Sequence, residues 1–170
     1  MFALPNARHC QVAYVTNDLD EAAALFEREY ATPGFYKFDT VQSGVAKPGD
    51  PQLRIALARV GGVEIELIEP LGSTAPLFSE LLPRDRTDLA IRFHHVAIRI
   101  DGSLDDWERH RAAIDTRRHP IAYQGALGDL LRFFYTDERT ALGHYVEHVW
   151  MSPELLEQLK AAVPTYPRQP

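Results

Sequence analysis

Cysteine occurs once in this 170-residue chain, at Cys10, so no disulfide can form within it. A single thiol fits a reducing compartment, and a cytoplasmic location is expected. Basic runs are missing as well. Lys and Arg number 18 against 24 Asp and Glu, giving a formal charge of −6 and a pI near 5.6. Such a balance offers no electrostatic footprint for nucleic acid or an anionic membrane surface. No apolar stretch approaches the length of a membrane span. The opening residues lack a basic segment leading into an apolar core, so no secretory signal is expected. Serine- or cysteine-based nucleophilic catalysis has no recognisable support either. With 45% hydrophobic and 25% charged residues, the chain has ordinary globular values and is long enough to bury a sizeable core.

What the sequence does hold is an internal repeat. One copy runs Gln11-Val-Ala-Tyr-Val-Thr-Asn-Asp18 and later reaches Val-Glu-Ile-Glu66-Leu-Ile-Glu-Pro70. The other runs His95-Val-Ala-Ile-Arg-Ile-Asp101 and later reaches Tyr145-Val-Glu147-His-Val-Trp150. Gln11 to Glu66 is 55 positions, and His95 to Glu147 is 52. Copies of this size cannot close a core alone and must pack together. A ligand-capable side chain near the start and end of each copy points to one shared site.

Apolar periods order the rest. Residues 9–16 read as a strand, and Asp18 caps a helix to about Tyr30 with an acidic first turn. Strands follow near 35–42, 52–60 and 62–69, the last two joined at Gly61-Gly62 as a tight hairpin. Residues 43–51 form a loop, a short helix lies near 75–82, and a polar linker runs from Pro83 to Asp88. The second copy repeats the order: strand 92–100, helix 103–115, then strands near 119–125, 129–136 and 143–150. Pro153 opens a terminal helix to about Val163, followed by a Pro-rich end expected to fray. The fold class is therefore α+β, two βαβββ modules whose curved mixed sheets enclose a metal-centred cavity. The first module covers 8–72, a linker 73–90, the second module 91–151, and a helix and tail 152–170.

Alternation assigns faces. Gln11 shares a face with His9, Ala13 and Val15, and Glu66 with Glu64 and Ile68. His95 lies with Ala97 and Arg99, and Glu147 with Tyr145 and Val149. A polar residue among apolar strand positions needs a partner, because burying it unsatisfied costs several kcal/mol. A shared metal would supply one. Singly, each residue also has a plain structural reading: Gln11 a hydrogen-bonding strand residue, Glu66 a solvated carboxylate, His95 a core histidine. His94 replaces His95 if the register slips by one, and His9, which points with Gln11, could be an alternative ligand or an acid–base group. Tyr135 and Tyr145 could donate hydrogen bonds to a substrate, and Arg54, Arg99 and Arg132 could hold an anionic one.

These stretches resemble the vicinal oxygen chelate superfamily, which includes glyoxalase I, methylmalonyl-CoA epimerase, bleomycin-resistance and extradiol-dioxygenase proteins. "QVAYVTNDLDEAAALFE" looks like the first strand and helix of that family, with the ligand seven residues before an Asp-Leu pair. "VEIELIEPL", "FHHVAIRID" and "GHYVEHVW" match the strands that place the other three. The resemblance implies metal ligands Gln11, Glu66, His95 and Glu147, the pattern of one branch of glyoxalase I. Gln11 departs from the epimerases, which usually begin with His, and from the dioxygenases, which use two His and one Glu.

One imidazole, one amide oxygen and two carboxylates suit Mg, Mn, Co, Ni or Zn with two positions left open. Those positions match a small-molecule substrate with two adjacent oxygens. A cation there would stabilise the charge that develops as a proton leaves the carbon beside a carbonyl. By resemblance Glu147 is the first candidate for the base and Glu66 the second, as in a lyase, isomerase or epimerase. The alternatives are a non-catalytic binding protein of the resistance kind and an extradiol-type dioxygenase. A homodimer is compatible with such repeats.

Overall fold

The computed structural model describes residues 5–46, 48–72, 76–85 and 88–167. In chain order the elements are β1 (Ala7–Thr16), α1 (Leu19–Glu29), β2 (Tyr36–Asp39), β3 (Gln52–Val60), β4 (Val63–Leu71), α2 (Pro76–Ser79) and β5 (Ile91–Ile100). After these come α3 (Leu104–Ala112), β6 (Ile121–Leu127), β7 (Leu131–Asp137), α4 (Arg139–Leu142), β8 (Tyr145–Met151), α5 (Pro153–Ala162) and β9 (Thr165–Tyr166). The fold class is α+β, as the sequence implied. Two compact units divide the chain: residues 5–11 with 95–160, and residues 12–94 with 161–167 among those described. The division falls inside β1 and inside β5.

In the unit built on 12–94, the strands lie in the order β2-β3-β4-β1. Antiparallel pairing joins β2 to β3 and β3 to β4. Gly61 and Gly62 turn the β3–β4 hairpin with φ of 60° and 86°, a left-handed pair that residues with a Cβ rarely adopt. Asp18 starts α1, its Oδ1 accepting from the Glu21 amide at 2.9 Å. Leu19, Ala22 and Ala23 of the helix pack on Ala56 and Leu67, with Tyr14, Phe26 and Phe35 around them.

A polar cluster pins the start of α1. Buried Glu69 accepts from the Leu19 amide at 3.4 Å and from Arg54 Nη1 at 2.7 Å. Arg54 Nη2 and Lys37 Nζ donate to the two oxygens of Asp20, at 2.6 and 2.8 Å. The Arg54 hydrogen bond, then that of Lys37, holds the Asp20 carboxyl at about 2, below the usual carboxylate range.

The unit that contains 95–160 orders its strands β5-β8-β7-β6, with residues 7–11 of β1 beside β5. β5 and β8 are parallel and the other two pairs antiparallel, so the sheet is mixed. Ser103 begins α3 with a reciprocal capping box: its hydroxyl accepts from the Asp106 amide while Asp106 accepts from the Ser103 amide. Trp107 on α3 packs against Ile98, Ile100, Phe134, Val146 and Trp150. Within that core, His110 of α3 meets His148 of β8, Nε2 to Nδ1, at 2.9 Å.

Besides shifts of a few residues at element ends, with β2 stopping at Asp39 and β6 running Ile121–Leu127, three departures from expectation stand out. α3 ends at Ala112 rather than near 115, because the Asp115 carbonyl closes a turn by accepting from the amides of Arg118 and His119. α4 was not foreseen; it ends on Gly143 at φ 81°, and β8 starts only after it. The end expected to fray instead pairs in parallel with β3, with Arg59 opposite Thr165 and Val60 opposite Tyr166. Outside the described residues lie 168–170 of that tail, Lys47 of the expected loop, Ala75 at the start of the expected short helix and 86–87 of the linker.

Candidate functional site

The face of the β5-β8-β7-β6 sheet turned away from α3 carries the chemistry. Val96, Ile98 and Ile100 point toward the helix side, which leaves His95, Ala97 and Arg99 on the other. Register sets their neighbours: His95 pairs with Tyr145, Ala97 with Glu147, and Glu147 in turn with Tyr135. His95 is fully buried and Glu147 is 9% exposed, yet both are polar. They meet, with His95 Nε2 3.5 Å from Glu147 Oε2. The Tyr135 ring stands edge-on to the His95 ring, centroids 5.0 Å apart and planes at 85°, which fixes the imidazole's tilt. At the end of this face Arg139 lies over the Tyr145 ring at 4.7 Å and binds both oxygens of Asp137.

Two of the four residues singled out from the sequence are thus in contact. Gln11, half-buried, ends the β1 segment of the same unit. Glu66 belongs to the other unit, half-buried on β4 and opposite Leu57, with neighbouring Leu67 packed under α1. His94 has another role: its Nε2 bonds the Leu77 carbonyl at 2.9 Å and its ring stacks on Phe78. His9 is exposed, His144 Nδ1 meets the Tyr145 carbonyl at 2.7 Å, and His148 is in the core. The three arginines proposed for anions have carboxylate partners: Arg54 with Glu69 and Asp20, Arg99 with Asp101, Arg132 with Asp129.

The His95–Glu147 spacing suits two donors on one cation. Ligands at ~2.0–2.2 Å from an ion and at right to tetrahedral angles sit roughly 3–3.5 Å from each other. Among the described residues, no three His, Cys, Asp or Glu side chains gather into a cluster that could hold a metal.

Beside the pair stands a group of rings that the repeat pattern did not connect to it. Phe133 contacts Tyr135 at 6.0 Å and Tyr123 at 5.9 Å, centroid to centroid, and Tyr123 lies 6.4 Å from Tyr135. Phe133 leans across Gly125 on β6, so closely that a Cβ there would overlap its Cζ. A glycine inside a strand signals close approach of this kind, and Gly125 was the legible clue.

This is the α+β fold shared by glyoxalase-like proteins. A family model, the Glyoxalase/Bleomycin resistance protein/Dioxygenase superfamily, matches residues 10–126, and the chain belongs to that superfamily. A search of curated proteins gives no match. Among solved structures, methylmalonyl-CoA epimerase from Mycobacterium tuberculosis is similar at 15% identity with a TM-score of 0.60, covering 92% of this chain and 97% of that one. A hypothetical protein from Bacillus halodurans C-125 is similar at 16% identity and TM-score 0.57, covering 86% and 95%. A single-residue variant of Streptomyces coelicolor methylmalonyl-CoA epimerase, in complex with 2-nitronate-propionyl-CoA, gives 17% identity and TM-score 0.56, covering 86% and 95%. At such identities the likeness is one of fold.

Proposed function

We propose that this protein is a divalent-metal-dependent epimerase or isomerase of the glyoxalase-like kind, with Glu147 as the base that takes a proton from the carbon beside a carbonyl. The observation that carries the reading is the buried His95–Glu147 contact on the face free of α3. Superfamily membership supports it, as do epimerase neighbours whose structures hold methylmalonyl-CoA or 2-nitronate-propionyl-CoA, both acyl thioesters.

In this reading His95 and Glu147 would hold the ion, with Gln11 of the same unit as a third donor. A divalent cation so held supplies electrostatic stabilisation of the negative charge developing on a carbonyl oxygen. The chain's own groups do the rest. Glu147 accepts the proton and trades it with solvent before it is returned. Tyr135 keeps the His95 ring in orientation. A proton returned to the opposite face of the carbon inverts it, and one returned to a neighbouring carbon isomerises it.

The experiment is wash-in of solvent deuterium at C2 of a methylmalonyl thioester, followed by NMR. The parent protein incorporates deuterium, and Glu147→Gln lowers the rate by roughly 10²–10⁴, the usual worth of general acid–base catalysis. Full exchange in Glu147→Gln removes Glu147 from the mechanism. Tight binding of thioesters without exchange in the parent makes the protein a sequestering module, and oxygen uptake with catechols makes it a dioxygenase.

A further inference from the structure

The strands of the 95–160 unit end on β6, which pairs with β7 alone. Which of its main-chain groups face outward follows from two hydrogen bonds of β7. The Leu130 carbonyl accepts from the Ser152 amide at 2.8 Å, on the β8 side, whereas the Asp137 amide donates to the Pro120 carbonyl at 2.8 Å, on the β6 side. Alternation therefore turns the main-chain groups of Leu131, Phe133 and Tyr135 toward β6, and those of their partners Leu127, Gly125 and Tyr123 back toward β7. The N–H and C=O of Gln124 and Ala126 point out of the sheet. Among the described residues no strand takes them.

Open edges are ordinarily guarded by charge, proline or a bulge, because an unpaired strand is a template for another. β2, the edge strand of the 12–94 unit, follows that rule with Lys37 and Asp39 in its short span. β6 departs from it. Ile121–Leu127 holds neither a charged residue nor a proline, and its one irregularity, between Ile121 and Tyr123, leaves 123–127 regular. Ala122, Gln124 and Ala126 are exposed. Charge stands at the two ends of the strand instead, with opposite sign. Before it come Arg117 and Arg118, exposed and without an ion-pair partner among the described residues. After it comes Asp129, 99% exposed, whose one ion pair is a 3.2 Å contact with Arg132.

We infer that β6 is a docking edge for the same strand of a second protomer, the two running antiparallel about a two-fold axis at Gly125. A strand that is basic before it, uncharged along it and acidic after it complements itself only when reversed, as a two-fold interface requires. In this register Gln124 of each protomer exchanges main-chain hydrogen bonds with the partner's Ala126. Gly125 then faces the partner's Gly125 at a non-hydrogen-bonded position, where strands approach to about 4.5 Å between Cα atoms. Asp129 lies toward the partner's Arg117 and Arg118, and parallel docking would instead set like charges together. An edge this short covers less than the roughly 1,000 Å² of a stable interface, so the association is weak. None of this depends on the proposed reaction.

Sedimentation velocity of the full chain over a range of concentrations is the test, with a dimer expected at a Kd of roughly 10–100 µM, the scale of a small interface. Ala126→Lys adds the charge that guarded edges carry, without touching a main-chain group that faces β7, and weakens the dimer by about tenfold or more. Asp129→Arg weakens it too. Adding Arg117→Asp and Arg118→Asp to Asp129→Arg restores it, because both ends are rebuilt with their signs exchanged. Amide hydrogen exchange supplies a second reading: Gln124 and Ala126 exchange more slowly as concentration rises, while Gly125, already bonded to β7, does not change. A chain that stays monomeric throughout overturns the proposal. So does a dimer that Ala126→Lys and Asp129→Arg both leave intact, or one whose formation leaves exchange at Gln124 and Ala126 unaltered, since either places the contact elsewhere.

Discussion

His110 Nε2 and His148 Nδ1, 2.9 Å apart, share one hydrogen bond in which one ring donates and the other accepts. Both rings are buried, at 6% and 0% exposure, and His148 stacks on Phe134 with centroids 4.5 Å apart. The bond requires that one of the facing nitrogens carry a proton and the other lack one. Two imidazolium rings would set donor against donor beside Phe134 and Trp107, which offer no counter-charge.

Acid should therefore unfold this protein earlier than its carboxylates alone demand. Burial holds His110 below the ordinary histidine range, and burial followed by the charges of His110 and His119 pushes His148 down to about 3. Both would titrate near ~6.5 in the unfolded chain. The unfolded state then binds more protons, so stability is complete above about pH 6.5 and declines as pH falls below it toward the folded values. Urea midpoints between pH 8 and 5 should show this decline, and the double variant His110→Leu, His148→Leu should flatten it. An unchanged slope in the double variant would clear the pair of any part in acid sensitivity.

Arg54→Met should cost more than its half-exposed position suggests. It strands Glu69, whose side chain is 10% exposed, without its cation. Losing one partner of a buried pair costs about 3–5 kcal/mol, and the 35% exposure of Arg54 reduces this to roughly 2. Asp20→Asn, at a carboxylate 60% exposed, should shift the denaturation midpoint far less. Equal losses in the two variants would contradict this ordering.

Ser103→Ala removes one half of the α3 capping box and should lower stability by about 1 kcal/mol. Ser103→Asn, which keeps a capping oxygen, should restore most of it. Chemical denaturation of the two variants side by side provides the measure.

Chelation tests the proposed ion without an activity assay. A cation bound only by the folded state raises its melting temperature by mass action, so a chelator should lower it. His95→Ala should lose that response together with bound metal, measured by elemental analysis. Gln11→Ala should retain some of both, because a neutral amide oxygen is the weakest ligand of the set. Identical metal content in the parent and His95→Ala would dismiss the site.

The strand and helix order could be read directly because each local signal agreed with its neighbours. Asp18 before an acidic turn, Gly61-Gly62 between two apolar alternations and Pro153 at a helix start each specify geometry within a few residues. Alternation likewise put His95 and Glu147 on the face away from α3, where they meet. Contacts that depend on distant partners were not legible. Nothing near His148 announces His110, which is 38 positions away, and nothing near Glu69 announces Arg54 or the Leu19 amide. The pairing of Thr165 and Tyr166 with β3 was hidden for a related reason, since a two-residue strand carries no periodicity.

The division of the chain inside β1 and β5 bears on how such a repeat could have been inherited. Each compact unit draws strand from both copies: residues 7–11 join the later copy, and residues 91–94 the earlier one. An ancestral gene encoding a single copy would have produced a chain unable to complete either unit by itself. Two such chains could complete a unit only by lending each other strand ends. Cutting the modern gene in the 83–88 connection should yield two polypeptides that are each incomplete, yet restore the fold when expressed together.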